Sequence, residues 1–183
     1  MYFERPGIEN TERTLEIAFD FATRRGINDI VIASTTGYVA EMVLKKGLHR
    51  GRNVVIVTHN VGFREEGVSE FPEGLRERLQ EEGIRVHTST MALRGVGTAI
   101  KELLSYSEQE IIANTLRIFG QGVKVCVEIA AMAADAGLIH FSDCVSIAGT
   151  GRGADTALLI RANSSNRFFK IKVREVIVKP REF

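Results

Sequence analysis

Three short runs in this chain are apolar and β-branched but do not alternate with polar residues. They are Asp29-Ile30-Val31-Ile32-Ala33-Ser34, Asn53-Val54-Val55-Ile56-Val57-Thr58 and Asp143-Cys144-Val145-Ser146-Ile147-Ala148. A strand with one face in water alternates, whereas a strand covered on both faces does not. Helical spacing fills the sequence around them. Leu15, Ala18, Phe19 and Ala22 share one face between an N-cap at Asn10 or Thr11 and a stop at Gly26. Val39, Met42 and Val43 do so between Gly37 and Lys46, and Leu75 and Leu79 between Pro72 and Gly83. Strands alternating with helices predict an α/β fold, a three-layer α/β/α sandwich around a mostly parallel sheet. The chain has 183 residues and no linker-like stretch, so residues 1–183 read as one domain.

The remaining elements are weaker. Residues 84–88 read as a third strand and residues 91–104 as a helix that its glycines at 95 and 97 weaken. Ser107-Glu108-Gln109-Glu110 is a capping-box pattern opening another helix. Gly120 and Gly122 bracket a break before a small-residue helix over 123–136. There Lys124, Glu128 and Asp135 share a stripe that reads as an exposed face with an ion pair. Residues 156–162 and 168–178 give two last strands with no helix between them. They should run antiparallel, with the final one at the sheet edge.

Lys and Arg total 24 against 23 Asp and Glu, a net charge of +1. That argues against wrapping nucleic acid through bulk charge. No apolar run reaches the ~18 residues of a membrane span. The first residues lack the apolar core of a signal peptide, so the expectation is a cytoplasmic protein with no membrane partner. Cys126 and Cys144 form no CxxC and read as small core residues. His49, His87 and His140 show no ligand spacing, and no metal site is expected.

The polar residues gather where four strands end, residues 84–88 counting as the third and Asp143 to Ala148 as the fourth. The first ends in Ser34, Thr35, Thr36 and Gly37, the second in Thr58, His59 and Asn60, the third in Thr88, Ser89 and Thr90. The fourth ends in Gly149, Thr150, Gly151, Arg152 and Gly153. In an open parallel sheet these ends lie along one rim, where ligands bind. Hydroxyls, glycines, one His and one Arg suit an anionic, hydroxylated ligand. Ser34 to Gly37 also leads into a helix, whose N-terminal amides attract phosphate, although the same residues would serve as plain caps. Gly149, Gly151 and Gly153 lack the sixth-position glycine and the following helix of a dinucleotide fingerprint, so they also fit a hairpin turn. Arg94, Gly95 and Thr98 follow the third rim and could reach a ligand.

These stretches resemble the C-terminal α/β domain of pyruvate kinase over nearly the whole chain. The likeness rests on Ile30 to Ala40, on Val54 to Asn60, and on Val145 to Thr156 with its Gly149-Thr150-Gly151-Arg152-Gly153-Ala154-Asp155 loop. The likeness is greater still to stand-alone, largely archaeal proteins that carry only this domain. The resemblance implies an effector-type phosphate loop at Ser34, Thr35, Thr36 and Gly37. It implies a flavin mononucleotide (FMN) cofactor in the crevice, touching also Tyr38, His59, Asn60, Thr90, Gly149, Thr150, Gly151, Arg152, Gly153 and Asp155. Tyr38 or Phe63 would be available to stack on the ring. The family's catalytic (β/α)8 barrel takes about 200 residues or more, so no pyruvate kinase activity is expected, and no catalytic residue is assigned. His59 stands where the family usually has Arg, which tells against a sugar bisphosphate. Residues 91–119 are an insertion that could reshape the crevice. Two other readings stay open: a sensor of a sugar phosphate or nucleotide, and an assembly protein whose 168–178 strand pairs across a homo-oligomer axis.

Overall fold

The computed structural model describes all 183 residues. In chain order they form β1 (Tyr2–Phe3), a 3-10 turn (Ile8–Asn10), α1 (Thr11–Arg25), β2 (Asp29–Ala33), α2 (Tyr38–Lys45), β3 (Asn53–Val57), α3 (Glu73–Glu81) and β4 (Arg85–His87). Then come α4 (Val96–Leu104), α5 (Glu108–Arg117), α6 (Gln121–Asp135), β5 (Asp143–Ala148), β6 (Thr156–Arg161), a 3-10 stretch (Ser165–Lys170) and β7 (Lys172–Pro180).

The strands make one seven-stranded sheet in the order β1-β7-β6-β5-β2-β3-β4. β5, β2, β3 and β4 run parallel, β6 runs antiparallel to both its neighbours, and β1 lies parallel to β7. Six strands therefore point one way and β6 alone opposes them. The non-alternating runs behave as their composition dictates: Ile30, Val31 and Ile32 are fully buried, as are Val55 and Ile56. Even-numbered β2 residues pack with α1, α2 and α3 on one face. Val31 and Val55 pack with α6 on the other. Right-handed crossovers require this split. From β2 the chain winds one way through α2 and α3. It then returns on the opposite face through α6 to place β5 on the other side of β2. The sheet reverses its winding direction between β2 and β5.

Several expectations need correction. Residues 165–170 are not strand but 3-10 turns, with Phe169 81% exposed. β7 begins at Lys172 and is not the edge, because β1 pairs with its end through Tyr2 and Phe3, and the amino group of Met1 donates to Ile177 O at 2.8 Å. Helix α4 begins at Val96, not at 91, because Gly95 takes φ 50° and ψ −124° and Leu93 N is diverted to Glu128 Oε1 at 2.8 Å. Ser107 Oγ does accept from Glu110 N at 3.2 Å, but the Glu110 carboxylate turns to Lys101 and Arg117 instead of closing a capping box. Gly122 lies inside α6, not at a break. Lys124 and Glu128 are not on an exposed face; they are 1% and 0% exposed. An apolar helix surrounded on nearly all sides buries whatever charges it carries. Asp135, two turns on, is exposed as expected.

The edge of the sheet where the parallel strands start is held by Asp29. Its carboxylate accepts from Asn53 Nδ2 at 2.7 Å and from His140 N at 2.9 Å, and lies 2.9 Å from His140 Nδ1. Burial pushes the Asp29 pKa up, but these hydrogen bonds and the His140 charge outweigh it and hold the group below the ordinary carboxylate value. A lowered folded-state pKa gives stability that is present above the unfolded value, near about 4, and is lost as pH falls through the folded one. Asp29→Ala should therefore cost about 2 kcal/mol at neutral pH. That penalty should shrink only below about pH 4, which urea unfolding across the acid range would measure. A penalty independent of pH would mean that the carboxylate charge is not what matters.

Candidate functional site

The C-terminal tips of β2, β3, β4 and β5 lie side by side, as parallel pairing requires. A cavity of about 670 Å³ opens over the tips of β2, β3 and β5, within the usual range for small-molecule sites. It is centred on the reversal between β2 and β5, the place in such sheets where two crossovers leave on opposite faces and a crevice must form.

The first wall is main chain. After β2, Ser34 N pairs with Val57 O at 3.0 Å and the chain then turns into α2. The amides of Thr35, Thr36, Gly37, Tyr38 and Val39 donate to no other protein atom, and the next one, Ala40 N, donates to Ser34 Oγ at 3.2 Å. Ser34 is thus a cap at a distance: buried, and holding the first turn. Gly37 takes φ 89°, and a Cβ there would lie 2.5 Å from Leu75 Cδ2. Successive free amides ahead of a helix make an anion-binding nest, strengthened by the helix dipole.

The second wall is the loop after β5. Asp155, fully buried, accepts from Thr150 N at 3.1 Å and from Thr156 Oγ1 at 2.8 Å. Thr11 Oγ1 accepts from Ala154 N at 3.0 Å while donating to Ile8 O at 2.6 Å, which pins the loop to the chain's first helix. Gly153 takes φ 74°, and a Cβ there would sit 2.8 Å from Ile8 Cα. Held this way, the amides of Gly149, Gly151, Arg152 and Gly153 have no protein partner, and Arg152 makes no ion pair. Thr150 Oγ1 is buried without a hydrogen bond.

Of the residues singled out in the sequence, Ser34, Thr35, Thr36, Tyr38, His59, Gly149, Gly151, Arg152 and Gly153 line this cavity together. Gly37, Thr150 and Asp155 do not line it; they shape its two loops. Asn60 donates its side-chain amide to Val61 O at 2.8 Å and stays outside. Thr90 faces an adjoining cavity of about 430 Å³, which shares Met91, Arg94 and Met132 with the first. His59 Nδ1 lies 2.9 Å from Glu70 Oε2, and its ring centroid is 3.9 Å from that of Phe63. Arg94 sits 4.8 Å over the Phe63 ring. Phe63 also lines the cavity, with its ring packed on His59 and Arg94, whereas Tyr38, 43% exposed, stacks on no other ring.

Sequence reasoning missed the third wall, made by α6. Lys124, Glu128 and Ile129 line the cavity, and the Lys124 ammonium donates to the Glu128 carboxylate. The signal was present: two opposite charges four residues apart in a helix otherwise made of valine, alanine and other apolar residues. Burial lowers the Lys124 pKa. Glu128 pushes it back up, while Arg117 and Arg94 lower it further. Cys126 and Cys144, both buried, have thiol pKa values raised by desolvation, that of Cys144 to about 12, so neither supplies a thiolate here.

No helix is long and apolar enough to cross a membrane. No protein-family model matches the chain.

Proposed function

We propose that this chain is a pyruvate kinase C-terminal-like domain that binds FMN in the crevice between β2 and β5. The observation that carries the reading is the pair of loops at residues 35–39 and 149–153, which line one cavity and leave all their amides but that of Thr150 without a protein acceptor. Free donors at a helix N-terminus suit a doubly negative phosphate and need no lysine. The cavity volume admits a three-ring ligand, and Tyr38 offers a stacking surface beside the loop. When bound, FMN would supply the electron chemistry itself; the chain's part is to hold the phosphate and exclude water.

The test is direct. Protein purified from cells is denatured and the released small molecules are identified by mass; stripped protein is then dialysed against FMN. The expected result is stoichiometric flavin, with visible absorbance returning to the protein on dialysis. Colourless protein that takes up no FMN, yet is thermally stabilised by sugar phosphates or nucleotides, would replace FMN with one of those ligands.

A further inference from the structure

The α6 wall carries more positive charge than the phosphate reading uses. Lys124 is 1% exposed and is paired with Glu128, itself fully buried. Arg117 arrives from the end of α5 and is held by Glu110 at 3.2 Å, Asn114 at 2.6 Å and Gln121 at 2.9 Å. Arg94 comes from the turn before α4, braced because Glu128 accepts from the neighbouring Leu93 N. It makes no ion pair and only covers the Phe63 ring. All three cations line the cavity, and both arginines are near enough to Lys124 to depress its pKa. Glu128 offsets Lys124, while Glu110 is shared between Arg117 and Lys101, so the wall keeps a net positive charge and Arg94 has no carboxylate partner at all. A cation partly withdrawn from water is costly without an anion. The amide loops do not explain it, because they lie at the tips of β2 and β5 and are served by main chain, whereas this charge sits on the helix layer across the sheet from α2.

We propose that this wall receives a second negative charge, carried by the ring end of the ligand, so that the site holds a flavin more tightly as its reduced anion than in the neutral oxidised form. The inference rests on the FMN reading. Two electrons and one proton, supplied by a chemical reductant such as dithionite and by the buffer, convert the oxidised ring into a reduced ring bearing one negative charge. Arg94, with Lys124 behind it, attracts that charge where water screens it poorly. A ligand favoured in its reduced form has a raised reduction potential.

The experiment is a potentiometric titration of FMN-loaded protein, wild type against Arg94→Met and Lys124→Met, with free FMN as reference. Lys124→Met leaves Glu128 unpaired and can unfold, so Arg94→Met, at a side chain free of ion pairs, is the decisive variant. Wild-type protein should hold FMN at a potential above that of free FMN. Arg94→Met should lose about tenfold of the preference for the reduced form, about 30 mV for a two-electron couple. Its affinity for oxidised FMN should change far less. Equal potentials in wild type and Arg94→Met, both carrying FMN, overturn this inference alone. Wild-type protein that takes up no FMN overturns it together with the reading beneath it.

Discussion

Riboflavin, which is FMN without its phosphate, should bind at least a thousandfold more weakly than FMN. The donors on offer are the amides of Thr35, Thr36, Gly37, Tyr38 and Val39, together with those of Gly149, Gly151, Arg152 and Gly153. No phosphate accepts from all of them, but three or four bonds to a charged acceptor, at about 1.5–3 kcal/mol each, give at least about 4 kcal/mol. That corresponds to about three decades in affinity. Calorimetry with the two flavins measures it without any mutation. Near-equal affinities would place the phosphate in solvent and remove the reason for assigning these loops to it.

The largest expected loss of stability follows from Glu128→Ala. It removes three things at once: the partner of a buried ammonium, the acceptor of Leu93 N, and part of the cavity wall. Breaking one half of a buried ion pair costs about 3–5 kcal/mol, because the remaining charge stays behind in a poor solvent. For a chain of this size that lowers the melting temperature by on the order of 10 °C. The double variant Lys124→Met with Glu128→Gln leaves no unpaired charge and should recover most of the loss. A single variant that melts with the wild type would show that water or a counter-ion reaches Lys124 freely. A double variant as unstable as the single would assign the cost to packing rather than charge.

The parallel sheet was legible because burial on both faces leaves an unmistakable composition in Ile30 to Ile32 and Val54 to Val57. The first two rims were legible for the same reason: a strand so apolar that ends in Ser-Thr-Thr-Gly marks the spot where backbone meets solvent. Edge assignment failed because β1 is two residues long and owes its place to pairing with β7, a contact between residues far apart in sequence. Lys124 and Glu128 failed for a different reason. Periodicity reports which residues share a face but not how many faces a helix buries, and α6 buries nearly all of them. Thr90 lies in the adjoining cavity because residues 91–95 are a turn, not helix, and that turn carries Met91 and Arg94 into the wall the two cavities share.

A phosphate clasped by peptide groups has an unusual genetic signature. Alanine at Thr35 or Thr36 leaves the peptide donors in place, so the strongest part of the grip should be nearly silent there, whereas Gly37 should respond sharply through its backbone and Tyr38 through the loss of its ring. The same clasp cannot titrate. Between mildly acidic and mildly alkaline buffer, the phosphate's share of the affinity should follow the second ionisation of the ester itself, near pH 6.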